Sequence, residues 1–194
     1  PLLHGTRSLG VLAAALAYVF VGSDDSTPAP TPPPPAASKP LRPTVSAITA
    51  RVVSGPELKA AAASSSHPVY WAGPRPGVRY ELTRATDGRT YVRYLTPGAV
   101  VGDTASRYLV IATYPQAGAF NAVSAEAAKP GNTRIDLPAG GLAVAAPGRP
   151  QAVYLSYPGA DYQVEVFSPK PGEARRLVSN GSVRPLGGGT PVAT

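Results

Sequence analysis

Residues 78–95 read VRYELTRATDGRTYVRYL, and this stretch decides the fold. Two runs rich in β-branched and aromatic residues flank Asp87-Gly88, a dipeptide that favours the positive φ of a tight hairpin turn. A two-residue turn would set Leu82 against Arg93 and mix apolar with charged side chains on one face. A three-residue loop with Gly88 left-handed in a bulge instead pairs Leu82 with Val92 and Tyr80 with Tyr94. One face then carries Val78, Tyr80, Leu82, Val92 and Tyr94. The other carries Arg79, Glu81, Thr83, Tyr91 and Arg93, with Glu81 opposite Arg93.

On the C-terminal side, Arg107–Tyr114 (RYLVIATY) is a nearly continuous apolar run, the pattern of a central strand. Ala119–Ala128 reads as a helix ended by Pro130-Gly131. Arg134–Leu137 and Leu142–Ala145 flank Pro138-Ala139-Gly140-Gly141 as a second hairpin. Ala152–Tyr157 and Tyr162–Phe167 flank Pro158-Gly159 as a third. Pro171–Asn180 is a predicted C-terminal helix, with Ser168 as a cap and Gly181 as its stop. On the N-terminal side, Pro56–Ala63 reads as a short helix. Its proline sits in the first turn, where the missing N–H costs nothing, and Glu57 lies at the positive end of the dipole. Strands joined by short turns give an antiparallel sheet, and its apolar face needs cover. The expected fold is therefore α+β: a mainly antiparallel sheet built from hairpins, with two or three short helices on one face.

Ahead of this domain the composition changes twice. Leu9–Gly22 (LGVLAAALAYVFVG) holds no charge; its 14 residues would span about 21 Å as a helix, against a hydrocarbon core of about 30 Å. Arg7 precedes it, and Asp24 and Asp25 follow. The positive-inside rule therefore sets its start in the cytoplasm and everything after Gly22 outside. A single-pass anchor, a signal peptide cut near Val21-Gly22-Ser23, and a buried core helix all remain open, and the first two agree on export. Ser26–Pro43 (STPAPTPPPPAASKPLRP) holds eight of the chain's 24 prolines. Proline removes backbone donors, so this stretch reads as a polyproline II spacer reaching on the order of 50 Å, with a docking site for a proline-binding module as the alternative. The expected organisation is a membrane anchor or signal segment over 1–23, a Pro-rich disordered linker over 24–55, a small α+β extracytoplasmic domain over 56–185 and a disordered tail over 186–194.

Composition narrows the chemistry. The 194 residues include no cysteine, which excludes disulfides, a thiolate nucleophile, a Cys-based zinc site and a lipidated cysteine. The net charge is +7, and from Pro68 onward 13 basic residues face 8 acidic ones, an excess of +5. That excess favours anionic partners or simple solubility. Arginine outnumbers lysine 14 to 4, which fits a GC-rich genome as well as a binding role.

No catalytic set stands out. His67 is the one imidazole of the domain, beside Ser64, Ser65 and Ser66, but no nucleophile elbow surrounds those serines and they read as a helix exit. The acids are scattered singly, and no phosphate-binding glycine loop follows a strand. No catalytic, metal or cofactor-binding residue is assigned, and no cofactor is expected. Two surfaces are candidates for a ligand or partner. One is the Pro68–Gly77 stretch, where Tyr70, Trp71 and Arg75 could form an aromatic platform, though a single tryptophan more often anchors a small core. The other is the Arg79, Tyr91, Arg93 face, suited to phosphate, whose plain reading is a solvated face with one cross-strand ion pair. Nucleic acid is disfavoured.

The order of apolar segment, Pro-rich tether and then HPVYWAGPRPGVRYELTR, DGR and YVRYL resembles a group of uncharacterised membrane-anchored exported proteins of GC-rich bacteria. The resemblance covers His67–Leu95 and implies a location without implying site residues. The expected function is a non-enzymatic binding or structural role at the cell envelope. The membrane would be engaged through residues 9–22, and the partners would be anionic envelope polymers or another envelope protein. Two alternatives stand: an envelope enzyme acting on the cell wall through His67 and an acid, and the outer sensory half of a membrane signalling protein.

Overall fold

The computed structural model describes residues 48–103 and 105–186. The apolar segment, residues 24–47 of the linker span and the tail after Leu186 lie outside the described residues, so the anchor and spacer readings are not addressed by the fold. Within the described residues, no helix is long and apolar enough to cross a membrane.

The strands are β1 (Ile48–Val53), β2 (Tyr70–Trp71), β3 (Arg79–Ala85), β4 (Thr90–Leu95), β5 (Leu109–Pro115), β6 (Thr133–Asp136), β7 (Leu142–Ala145), β8 (Ala152–Ser156), β9 (Tyr162–Phe167) and β10 (Arg184–Pro185). The helices are α1 (Gly55–Ala62), α2 (Ala119–Ala127) and α3 (Glu173–Ser179). Eight strands form one antiparallel sheet in the order β1-β3-β4-β5-β9-β8-β7-β6, and β2 pairs with β10 apart from it. The α+β, mainly antiparallel expectation holds, and β5, the apolar run, lies inside the sheet between β4 and β9.

The hairpin has the expected register: Leu82 opposes Val92, Tyr80 opposes Tyr94, and Glu81 opposes Arg93. The Gly88 N–H donates to the Ala85 carbonyl at 3.1 Å, and Gly88 has φ +85°. A side chain there meets two obstacles. The left-handed backbone is costly for an L residue, and a Cβ would lie 3.0 Å from Pro115 Cγ on the neighbouring strand. Gly88→Val is expected to destabilise the domain by about 2 kcal/mol, read as a lowered denaturation midpoint. An unchanged midpoint would show that the bulge is not under this constraint. The second hairpin turns through Ala139 and Gly140, both at positive φ (56° and 69°), the backbone of a primed turn in which alanine replaces the usual asparagine.

Three features differ from the sequence expectation. The first is β1, which lies in the span read as linker and pairs with β3 along its whole length. It is an edge strand with only Val53 fully buried, so its apolar signal is faint. The second is the placement of the helices, which do not share a face. Leu58 of α1 and Leu177 of α3 join the cluster of Leu82, Ile111, Val153 and Val164. Val123 and Ala127 of α2 join Leu142, Val144 and Tyr154. Those two sets alternate along β7 and β8, so α2 covers the opposite face. The reason is local: LAVA and AVYLS are apolar on both sides and both sides need cover. The third is the start of α3. Gly172, not Ser168, is its N-cap, and the Ser168 hydroxyl donates instead to Glu173 Oε2 at 2.5 Å. At the other end Gly181, φ +70°, stops the helix as expected.

Helix α1 starts where its sequence says it should. Ser54 accepts from the Glu57 N–H, and Glu57 Oε2 accepts from the Ser54 N–H at 2.7 Å, a reciprocal capping box.

Candidate functional site

The Pro/Gly-rich segment of residues 68–77 lies on the α1/α3 face and is pinned by tyrosine hydroxyls. Tyr94 Oη accepts from the Ala72 N–H at 2.7 Å and donates to the Gly73 carbonyl at 3.1 Å, while Tyr80 Oη accepts from the Arg75 N–H at 3.0 Å. Tyr70 is buried, its hydroxyl 3.3 Å from that of Tyr162. Trp71 packs edge-on against Tyr80 with ring centres 6.0 Å apart and touches the core while staying half-buried. Arg75 lies over the Tyr94 ring at 5.3 Å and pairs with Glu173 at 3.2 Å. Burial pushes the Glu173 carboxyl up, but the Ser168 hydroxyl and Arg75 outweigh it and leave it below the usual range. Tyr70, Trp71 and Arg75 therefore sit in one packed layer, with Tyr70 and Trp71 paired beside β10.

Arg79, Tyr91 and Arg93 are on the other face of the sheet, so the six candidate residues form two separate groups. This second face is not the solvated one the alternation suggests. Glu81 is only 1% exposed and Arg93 17%, with the guanidinium 2.9 Å from the carboxylate. The segment joining β4 to β5 folds over them: the Gly102 N–H donates to Glu81 Oε2 at 2.8 Å, Arg93 donates to the Asp103 carbonyl, and Arg93 lies over the Tyr108 ring at 5.7 Å. The Arg79 guanidinium is exposed and has no partner among the described residues.

Further along the same face, Glu165 accepts from Tyr114 at 2.6 Å and from Tyr154 at 3.1 Å, and Arg149 donates to the Tyr154 hydroxyl at 3.0 Å. Burial, then the neighbouring Glu165 charge, pushes Tyr154 up to about 12 from its ordinary 10.0. A raised folded-state value favours the neutral phenol in the fold. Its contribution is therefore complete below the ordinary value of 10.0 and is lost as pH rises through about 12. Tyr154→Phe is expected to flatten the loss of stability between about pH 10 and 12, measured by urea unfolding across that range. An identical alkaline slope in the variant would contradict it.

His67 lies 3.5 Å from Asp161 through Nδ1, and its ring centre is 5.9 Å from that of Tyr162. Asp161 is 73% exposed. The neighbouring serines are engaged at the helix exit: Ser64 donates to the Ala61 carbonyl and Ser65 accepts from Arg84 at 2.9 Å. Among the described residues no group of three His, Asp or Glu side chains could hold a metal ion.

An open groove of about 710 Å³ runs between the β6/β7 edge and α3. Thr133 and Ala145 of the strands, Pro147 and Pro150 of the β7–β8 turn, and Arg175, Arg176 and Ser179 of α3 line it. The two prolines stiffen the β7–β8 turn. Both arginines are exposed. Arg175 has no side-chain partner among the described residues, and Arg176 stands 3.9 Å from a Glu173 already held by Arg75 and Ser168. This groove escaped the sequence reading. The signal available was the adjacent Arg175-Arg176 pair on a predicted helix with a single acid, Glu173, in its first turn. Comparison with protein-family models, with curated proteins and with solved structures found no match.

Proposed function

We propose that this chain is a non-enzymatic, membrane-tethered domain on the outer side of the membrane, which binds an anionic envelope polymer in the β6–α3 groove. The observation that supports it is the pair Arg175 and Arg176, two exposed guanidiniums with loose or no partners lining an open groove. Guanidinium forks match phosphodiester and carboxylate groups, and the groove's openness suits a passing chain more than an enclosed small molecule. The +5 excess beyond Pro68 supplies a long-range field of the right sign. The tethered, exported layout rests on the charge order of Arg7 and Asp24/Asp25 around residues 9–22 and on the resemblance over His67–Leu95.

Titration of the protein with a poly(glycerol phosphate) probe tests the reading. The paired substitution Arg175→Glu and Arg176→Glu is expected to weaken binding at least tenfold, on the order of 2 kcal/mol for two lost charge-assisted contacts. Added salt should weaken the parent in the same direction. Equal affinity in the parent and the charge-reversed chain would reject the groove.

A second reading, an envelope hydrolase, is favoured by one observation, the 3.5 Å approach of His67 to Asp161. An imidazole oriented by a carboxylate is two parts of a base–nucleophile relay. Wall-fragment turnover that vanishes in His67→Ala while the fold persists would establish it.

A further inference from the structure

The large hydrophobic side chains exposed among the described residues gather at one corner of the sheet. They are Val52 at 37%, Val100 at 68% and Val101 at 44% exposure. Val52 lies directly across from Glu81 on the edge strand β1. Gly102, next to Val101, donates its N–H to the same Glu81 carboxylate at 2.8 Å. The Glu81 carboxylate thus holds the turn that displays Val100 and Val101 against β3, the strand paired with the edge strand.

The turn is braced rather than loose. The Asp103 N–H donates to the Val100 carbonyl at 3.3 Å, Asp103 accepts from Tyr108 at 2.9 Å, and Arg107 pairs with Asp103 at 2.9 Å. Holding two valines outward on a fixed turn exposes apolar area without any return inside the domain. The surrounding charge has one sign to spare. Glu81 and Asp103 are both engaged, Arg107 is largely exposed, and Arg79, two residues from Glu81 on the same strand face, has no partner among the described residues.

We infer that this corner, Val52 with Val100 and Val101 beside Arg79 and Arg107, docks on an anionic lipid surface. The inference rests on the tethered reading above and specifies which edge of the sheet meets the membrane. Two observations select lipid over a second copy. Beyond the Arg93–Glu81 and Arg107–Asp103 pairs the corner keeps one cation unpaired among the described residues, Arg79, so like charges meet when two copies face each other, whereas an anionic leaflet attracts it. The chain also enters the described domain at Ile48, on the strand that carries Val52 though at its other end, about 13 Å away at the usual rise per residue, so a membrane anchor upstream would keep this edge strand close to the bilayer. A tether of that kind keeps the local lipid concentration high. The sheet order puts β1 at one edge and β6 at the other, about 34 Å apart measured along the sheet at the usual strand spacing, so the β6–α3 groove lies outside the docked corner.

The absence of cysteine makes site-specific labelling direct. The full chain is reconstituted into phosphatidylglycerol/phosphatidylcholine vesicles that carry a lipid-borne quencher. A fluorophore is placed on Val100→Cys, or on Arg134→Cys at the far edge of the sheet. Quenching is expected to be several-fold stronger at position 100 than at position 134. It should fall when Val101→Ser or Arg79→Ala is added to the labelled chain, and fall in vesicles of phosphatidylcholine alone. A chain that floats with the vesicles and is quenched equally at both positions overturns this inference alone. A chain that does not float overturns the tethered reading and this inference with it. Concentration-dependent quenching at position 100 without vesicles identifies self-association at the corner and also overturns it.

Discussion

Glu81→Ala is expected to remove about 3–5 kcal/mol of folding stability, the usual result of deleting one partner of a buried ion pair. The carboxylate is 1% exposed and takes three donors: Arg93 at 2.9 Å, the Gly102 N–H at 2.8 Å and the Thr83 hydroxyl at 3.3 Å. Removing it leaves the mostly buried Arg93 charge with only the Asp103 carbonyl and the Tyr108 ring, and leaves the Gly102 N–H without its acceptor. For a domain whose total stability is on the order of 5–15 kcal/mol, such a loss is a large shift in denaturation midpoint. The companion substitution separates the pair from its burial. Glu81→Leu together with Arg93→Leu removes both charges and leaves apolar side chains in the same sheet positions, so it should recover a large part of the loss. Amide exchange gives a second readout, because the Gly102 N–H loses its acceptor and should exchange faster. A Glu81→Ala midpoint within about 1 kcal/mol of the parent would show that the pair behaves like an exposed one.

Trp71→Ala is expected to cost about 3 kcal/mol, the low end for truncating a large aromatic, because the ring is half-buried. The ring packs on Tyr80, which packs edge-on against Tyr94 at 5.2 Å, so its loss loosens an aromatic series as well as one contact. Its backbone also pairs with Arg184, and Val183 and Leu186 pack against the same core, so the C-terminal strand should fray in the variant. His67→Ala is the contrasting substitution. It removes a 3.5 Å approach to an exposed carboxylate and should change stability by less than about 1 kcal/mol. Thermal melts of the two variants make the comparison. A Trp71→Ala protein that melts like the parent would move the ring from the core to a binding surface.

How far the sequence could be read depended on how much each segment buries. The hairpin of β3 and β4 was legible in full because one face of it is apolar and a slipped register would expose that face. The strand β5 and the two later hairpins were legible for a related reason: continuous apolar runs bounded by Pro/Gly turns have few other uses. The strand β1 was not legible, since an edge strand that buries little leaves Thr49 and Arg51 exposed and reads like a linker. The burial of Glu81 was hidden too. The alternation marks its face as polar, and only the fold of the β4–β5 segment covers it. The candidate site was the least legible part. Tyr70, Trp71 and Arg75 stand out by residue type, yet they are held in a packed layer, while Arg175 and Arg176 gain meaning only when α3 meets the turn carrying Pro147 and Pro150. Residues 1–47 carry the expectation of export, and they lie outside the described residues.

The most direct test of the proposed function is a map of backbone amide shifts in an isotope-labelled sample as poly(glycerol phosphate) is added. The shifts are expected to concentrate at Thr133, Ala145, Arg175, Arg176 and Ser179 and to diminish as salt is raised. Shifts that concentrate instead around Trp71 and Arg75, or around His67 and Asp161, or that do not appear at all, would contradict it.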